Sequence, residues 1–240
     1  MHREEDDTHA GAEQRRANRP APALRASSIA GVEPGSLPVR AVSGTFWRQC
    51  GPRYGALETP PVALGSGRYH RKDEQPCVYA SSTREAAWGE LFRHVYSGVS
   101  PFEVKRRVAE LQVTNLPVLD LTDSSVLARL GVQRRQLVAN NYAICQQIAD
   151  LAREGSDQFG GLLAPSAADP RAQTLVVFPE WRERVRVRRS RVGRAPMRLV
   201  GLFEQIVGTL PVAAQDEAYA LLNQARRELH RIRRRVTGRR

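Results

Sequence analysis

The sequence predicts an α+β fold, with twisted mixed sheets, flanking helices and a helical extension at the C-terminus. Short apolar runs of strand length are mixed with helical patterns at irregular spacing, whereas a doubly wound fold would show regularly repeated βαβ units. Near the C-terminus, apolar residues recur at three- and four-residue steps, which is the period of a helix. The chain of 240 residues is long enough for one or two globular domains.

The N-terminal segment, residues 1–40, is predicted to be disordered. It is polar, rich in Ala, Arg, Pro and Gly, and shows no apolar period, so it buries too little surface to offset the entropy of ordering. The predicted organisation is therefore a disordered segment over 1–40, a globular domain over 41–190 and a basic helical extension over 191–240.

Strand and helix signals follow one another through the rest of the chain. Predicted strands cover 43–48, 76–80, 102–113, 117–121, 160–164, 174–178 and 185–188. Ser82 and Glu85 have the spacing of a capping box, which predicts a helix from Glu85 to about Tyr96. Further helices are predicted to begin at Thr122-Asp123-Ser124 and to cover 134–153 and 214–236.

The formal net charge of +12 is concentrated at one end of the chain. Residues 182–240 contain 16 basic and 5 acidic side chains, whereas 41–181 contain 15 and 14. A uniformly basic protein is therefore excluded. The excess leaves open an alternative function, in which basic helices from Arg182 onward bind nucleic acid or a ribonucleoprotein. This alternative is not favoured, because the sequence shows neither aromatic stacking platforms nor a recognition helix beside the charge.

Composition excludes several other classes. No run approaches the about 18 apolar residues of a membrane span, and the first residues are acidic where a signal peptide would be basic and then apolar. A soluble, cytoplasmic protein without a membrane partner is expected. The three cysteines are far apart and have no histidine at metal-ligand spacing, so neither a disulfide framework nor a metal site is predicted.

Some polar residues of the middle segment stand where strands end or helices face inward: Arg48, Arg68, Tyr79, Glu90 and Ser166. Arg68 follows Gly67, where the backbone can approach a ligand, and a guanidinium group offers paired donors suited to phosphate. Glu90 lies in an apolar stretch of helix, so its carboxylate is either paired or functional. Each signal alone also has a structural explanation, such as an ion pair.

Three motifs together resemble the RES domain family: Gly67-Arg68-Tyr69, Val78-Tyr79-Ala80-Ser81-Ser82 and Glu85-Ala86-Ala87-Trp88-Gly89-Glu90. Four residues follow one another at steps of 20, 11 and 11 positions, as the family pattern places them: Arg48, Arg68, Tyr79 and Glu90. Ser166, after Gly160-Gly161, falls where the family has its serine. The resemblance covers roughly residues 43–181, and the longer polar stretch after Tyr69 departs from the family pattern.

The resemblance implies a fold similar to that of ADP-ribosyltransferase toxins, and an enzyme that breaks the nicotinamide–ribose bond of NAD. Hydrolysis, phosphorolysis and ADP-ribosyl transfer all remain open. It implies catalytic roles for Arg68, Glu90 and Ser166 and substrate-binding roles for Arg48, Tyr69 and Tyr79. Glu90 would stabilise positive charge on the ribose, and the arginines would hold phosphate groups.

The resemblance also implies the ligands and partners of such an enzyme. NAD is expected as the substrate, with no separate cofactor and no metal. A cognate Xre-type antitoxin is expected to hold the enzyme inactive, and a homodimer stays open.

Overall fold

A computed structural model of the chain describes residues 29, 31–59, 66–72, 74, 76–93, 99–155 and 157–237. The strands are β1 (Val39–Cys50), β2 (Val78–Ser81), β3 (Arg106–Asp120), β4 (Gly161–Pro165), β5 (Gln173–Val177) and β6 (Val185–Gly193). The α-helices are α1 (Arg84–Phe92), α2 (Ser124–Leu130), α3 (Arg134–Val138), α4 (Ala143–Glu154), α5 (Val200–Val207) and α6 (Val212–Thr237). Short 3-10 helices cover Pro34–Ser36, Pro179–Arg184 and Met197–Leu199.

The strands form one mixed sheet whose pairings close on themselves. The order is β1-β2-β5-β4-β3, and β3 also pairs with β1. Only the pairing of β3 with β4 is parallel among the strands of the described chain. β6 pairs with the N-terminal half of β3 and forms an edge. The predicted mixed sheet with flanking helices is confirmed, while the likeness to ADP-ribosyltransferase toxins stays a prediction.

β3 is one long strand where the sequence predicted two, over 102–113 and 117–121. Nearly its whole length pairs with β1, and the break seen in the sequence is a bulge at Asn115. Asn115 has a φ of 46° and donates its backbone N–H to the hydroxyl of Ser43 at 2.8 Å. Asparagine tolerates this left-handed conformation better than most residues. The strand therefore bends at Asn115 and continues.

The predicted helix over 134–153 is broken into α3 and α4. The break falls at residues 139–142, where the Asn141 side chain accepts the backbone N–H of Ala143 at 3.0 Å and so begins α4. The C-terminal end of α4 at Glu154, with Gly155 as its C-cap, agrees with the predicted end at residue 153. The interruption leaves the carbonyl groups of Leu137 and Ala139 without helical partners, and both accept hydrogen bonds from Arg68.

The capping box predicted from Ser82 to Glu85 is wrong by one residue. Thr83 caps α1, and its hydroxyl accepts the backbone N–H of Ala86 at 3.1 Å. The Ser82 hydroxyl instead accepts the backbone N–H of Gln173 at 2.9 Å. Ser82 directly follows β2, so its side chain extends the pairing with β5 rather than beginning the helix.

Order begins before the predicted boundary at residue 40. Most of the predicted disordered segment lies outside the described residues, but Ile29 and Leu37 are buried against α2 and α4, and β1 begins at Val39. The Leu37 carbonyl accepts a hydrogen bond from Gln158 at 2.8 Å. Isolated apolar residues show no period, so the sequence pattern did not reveal these contacts.

The C-terminal segment is partly sheet and partly helix. The basic residues expected on helices from Arg182 onward are divided, because Val185–Gly193 forms the edge strand β6 and α5 begins only at Val200. Helices α5 and α6 pack against α1 through a shared apolar cluster that includes Phe92 and Phe203.

Within the described chain, no helix combines the length and apolar character needed to cross a membrane.

We expect Phe203→Ala to destabilise the protein by about 3–5 kcal/mol. Phe203 is fully buried, and its ring centroid lies 5.3 Å from that of Phe92 and 5.8 Å from that of Phe102. Urea denaturation would measure the change in the free energy of unfolding. Val212→Ala is the control, because Val212 is 81% exposed at the start of α6. Equal stability of both variants would mean that the C-terminal helices do not share the core.

Candidate active site

A cavity of about 490 Å³ is bordered by β1, β2, α1 and the turn at residues 67–70. Its volume lies in the range of about 300–1,000 Å³ that is typical of small-molecule sites. Five of the six predicted site residues line it: Arg48, Arg68, Tyr69, Tyr79 and Glu90. The sixth, Ser166, is buried between two lining residues, Pro165 and Ala167. The fold thus brings together side chains that are far apart in the sequence.

The Glu90 carboxylate lies on the part of the cavity wall that α1 contributes. Burial raises the pKa of the Glu90 carboxyl, and the positive charges of Arg93 and Arg68 and a hydrogen bond from Ser166 oppose that rise. The carboxylate is therefore held close to two guanidinium groups in a poorly solvated place. A group in this setting can stabilise positive charge that develops on a bound molecule.

Ser166 supports Glu90 from the loop after β4. Its hydroxyl oxygen accepts the backbone N–H groups of Ala168 and Asp169, at 3.1 and 3.2 Å. Both lone pairs are then used, so the hydroxyl proton is available for the hydrogen bond to Glu90. The serine is 2% exposed. Its contact is with Glu90, and the direct contact with a ligand that the sequence predicted stays a prediction.

Arg48 is the most deeply buried charge in the cavity wall. It is 6% exposed and donates from Nη2 to the carbonyl of Glu58 at 2.6 Å. Its Nη1 has no hydrogen-bond partner, and no carboxylate forms an ion pair with it, in the part of the chain that the structure describes. Burial lowers the pKa of Arg48, the neighbouring Cys50 opposes this, and the neighbouring Arg182 lowers the pKa further. A buried cation that lacks an ion-pair partner and lines a cavity favours an anionic ligand there.

Arg68 projects from the turn at residues 67–70 and is fixed by the break between α3 and α4. Its Nη1 donates to the carbonyls of Leu137 and Ala139 at 2.8 and 2.6 Å. The guanidinium carbon lies 4.5 Å from the ring centroid of Tyr142. Arg68 lines the cavity, and its positive charge acts on the Glu90 carboxyl.

Tyr79 and Tyr69 have different surroundings. The hydroxyl of Tyr79 accepts the backbone N–H of Tyr69 at 2.9 Å and lies 2.9 Å from Nδ1 of His70. Burial raises the pKa of Tyr79 well above its usual range, so the hydroxyl keeps its proton and can donate it to His70. Tyr69 borders the cavity, but its side chain is only 1% exposed and belongs to the core. Its predicted role in substrate binding stays a prediction.

The structure adds Arg93 to the site, which the sequence analysis did not identify. Its Nη1 donates to the carbonyl of Ala167 and its Nη2 to the side chain of Asn140, both at 2.8 Å. Burial lowers the pKa of Arg93, and the charge of Glu90 opposes this. The available signal was its position three residues after Glu90, which places both side chains on one face of α1.

The charges that line the cavity favour an anionic ligand. Four arginines and two glutamates contribute to the wall: Arg48, Arg68, Arg93, Arg106, Glu58 and Glu90. Among the described residues, no group of His, Cys, Asp or Glu is arranged to hold a metal ion.

Comparisons with known proteins give one family, one relative and one similar fold. The model of the RES domain matches residues 40–198, so α5 and α6 lie beyond the matched range. A protein of Mycobacterium tuberculosis (strain ATCC 25618 / H37Rv), described as a probable NAD(+) phosphorylase, is 43% identical over 172 residues, which cover 71% of this chain and 82% of that protein. The crystal structure of the M. tuberculosis MbcT-MbcA toxin-antitoxin complex contains a chain with 21% identity and a TM-score of 0.58, and the match covers 70% of this chain and 91% of that one.

Proposed function

Because the chain belongs to the RES domain family, we propose that it is an NAD phosphorylase, an enzyme that replaces the nicotinamide of NAD by inorganic phosphate. The observation that carries the proposal is the presence of a buried, unpaired arginine, Arg48, and a half-buried carboxylate, Glu90, in one cavity. An anion can be held by the first while positive charge on the ribose is stabilised by the second. The relative described as a probable NAD(+) phosphorylase supports the same reaction.

The proposed reaction balances without any further reactant. The bond between the ribose carbon and the nicotinamide nitrogen breaks, and its electron pair leaves with the nicotinamide, which becomes neutral. A phosphate oxygen supplies the electron pair for the new bond to the same ribose carbon. The products are nicotinamide and ADP-ribose with a phosphate on that carbon. No oxidant, reductant or metal is needed for this exchange.

In the proposed reaction, some cavity residues stabilise charge and others position the reacting groups. As the bond to nicotinamide lengthens, the ribose gains oxocarbenium character, and the Glu90 carboxylate stabilises it. Arg48 contributes positive charge to the cavity wall that attracts an anionic group, and Arg68 provides a second cationic contact near Glu90. The half-buried ring of Tyr79 offers a face for nicotinamide. Ser166 holds the Glu90 carboxylate in place.

The partner belongs to the same proposal. The matched solved structure is a toxin-antitoxin complex, which supports a role of this chain as a toxin held inactive by an antitoxin. Depletion of NAD would then arrest growth when the chain is made without that partner. ADP-ribosyl transfer to a protein, a homodimer and nucleic-acid binding by the basic C-terminal segment stay predictions.

Incubation of the purified chain with NAD tests the proposal. We expect nicotinamide release that depends on added phosphate, with a product that mass spectrometry shows to be heavier than ADP-ribose by one phosphoric acid less one water. Release of free ADP-ribose at the same rate without phosphate would show hydrolysis instead, and labelling of added protein would show transfer. Unchanged NAD in every mixture, with folded protein, would contradict the proposed function.

A further inference from the structure

The turn at Gly67–His70 carries Arg68 into the cavity. The backbone N–H of Gly67 donates to the carbonyl of His70 at 2.9 Å, which closes the turn. A Cβ on Gly67 would lie 2.2 Å from the His70 ring and 2.9 Å from the Tyr79 hydroxyl, so this position has no room for a side chain. The position of Arg68 therefore depends also on the side chains that contact the carbonyl groups of this turn.

Two side chains of α4 hold the turn by its carbonyl groups. The amide nitrogen of Gln146 donates to the carbonyls of Gly67 and His70, at 3.0 and 3.3 Å. Nη2 of Arg153 donates to the carbonyl of Tyr69 at 3.0 Å. Gln146 and Arg153 are seven residues apart, close to two helical turns, so they lie on one face of α4.

Arg153 is itself fixed on three sides. It donates to the sulfur of Cys77 at 3.2 Å, and its guanidinium carbon lies 5.1 Å from the ring centroid of Phe178. Its Nη1 lies 3.5 Å from a carboxylate oxygen of Glu74 and 3.8 Å from one of Asp150. These ion pairs are partly exposed, and such pairs contribute little by themselves. Their geometric effect is to aim the Arg153 donors at the turn.

We infer that Gln146 and Arg153 are positioning residues, which set the place of Arg68 and Tyr79 in the cavity by holding the Gly67–His70 turn against α4. The link to Tyr79 is direct, because its hydroxyl accepts the backbone N–H of Tyr69 within that turn. The expected effect on NAD cleavage rests on the proposed function. The contacts between α4 and the turn can be measured independently of that function.

Substitution of Gln146 tests the inference. Gln146→Glu keeps the shape but replaces the donor with an acceptor that faces two carbonyl oxygens, and Gln146→Met keeps the length without a donor. We expect both variants to raise the KM for NAD about tenfold and to change kcat less, because the loss is in the placement of binding groups. Gln147→Met is the matched control, because within the described chain Gln147 makes no side-chain hydrogen bond to the turn.

A second readout separates this inference from the proposed function. Amide hydrogen exchange at Gly67 and Tyr69 reports the turn directly, and we expect it to be about tenfold faster in both Gln146 variants than in the control. Exchange that matches the control would overturn the inference, whatever the activity. If the wild-type chain leaves NAD unchanged while exchange responds as expected, the proposed function fails and the hold on the turn stands. If Gln146→Glu does not fold, Gln146→Met decides.

Arg153→Lys distinguishes hydrogen bonding from charge. Lysine keeps the positive charge near Glu74 and Asp150, but a single ammonium group does not reproduce the planar donors that reach the Tyr69 carbonyl while stacking on Phe178. We expect faster exchange at the Tyr69 amide in this variant. Full protection in Arg153→Lys would show that charge alone holds the turn, and would overturn the role assigned to the Arg153 donors.

Discussion

Glu90→Gln is expected to lower the kcat of NAD cleavage by about 10²–10³-fold. The amide keeps the size of the side chain and can still contact Ser166, but it no longer carries the negative charge that stabilises the ribose as the nicotinamide leaves. The variant should stay folded, because glutamine fits the same space on α1. Steady-state kinetics of nicotinamide release would measure the effect, and circular dichroism would confirm the fold.

Glu85→Gln serves as the control for Glu90→Gln, because Glu85 lies on the same helix and contacts the exposed Arg198. It should cleave NAD at the wild-type rate. Since the folded protein raises the pKa of Glu90, the wild-type rate should fall on acidification at a pH above the usual range for glutamate. That acid limb should be absent in Glu90→Gln. Equal kcat values for Glu90→Gln and the wild type would remove the carboxylate from the mechanism.

Arg48→Met is expected to abolish the stabilisation of the protein by phosphate, and the dependence of NAD cleavage on phosphate, without lowering the stability of the phosphate-free protein. Arg48 is buried without an ion-pair partner, so its charge costs free energy of folding, which an apolar side chain of similar length does not. Phosphate at about ten times its Kd should raise the free energy of unfolding of the wild type by about 1.4 kcal/mol. Thermal unfolding with and without phosphate would measure both quantities.

Arg53→Met is the matched control for Arg48→Met, because Arg53 is exposed on the turn after β1. It should keep both NAD cleavage and stabilisation by phosphate. If phosphate stabilised Arg48→Met as strongly as the wild type, Arg48 would not be the anion site. A large loss of stability in Arg48→Met alone would show that the guanidinium group is structural.

The candidate site was largely predictable from its spacing in the sequence. Arg48, Arg68, Tyr79 and Glu90 all line the cavity. Ser166 lies beside Glu90, and this contact was not predictable, because the hydrogen bonds that orient its hydroxyl come from the loop that follows it. Arg93 was missed, since an arginine three residues after a glutamate has the pattern of an ordinary helical ion pair.

The local sequence pattern also predicted most strands and helices of the fold. It failed where contacts with distant segments set the bounds of a strand or helix. β3 continues through Asn115 because β1 pairs with both of its halves, and no property of the local sequence reports that partner. The division of the helix over 134–153 was missed in the same way. Its consequence reaches the cavity, because the carbonyls of Leu137 and Ala139 accept hydrogen bonds from Arg68.

The sequence by itself determined the residue types of the site, the family resemblance and the mixed class of the fold, because these follow from residue identity, spacing and period. Only the tertiary structure decided that Arg48 has no ion-pair partner among the described residues. It also decided that Ser166 donates a hydrogen bond to Glu90. Finally, it brought Gln146 and Arg153 to the carbonyl groups of the turn that carries Arg68. Each of these depends on atoms that meet across long stretches of chain, such as Gln146 and Gly67, which are 79 residues apart. Hydrogen bonding and desolvation act at distances of a few ångströms, and the fold alone sets those distances.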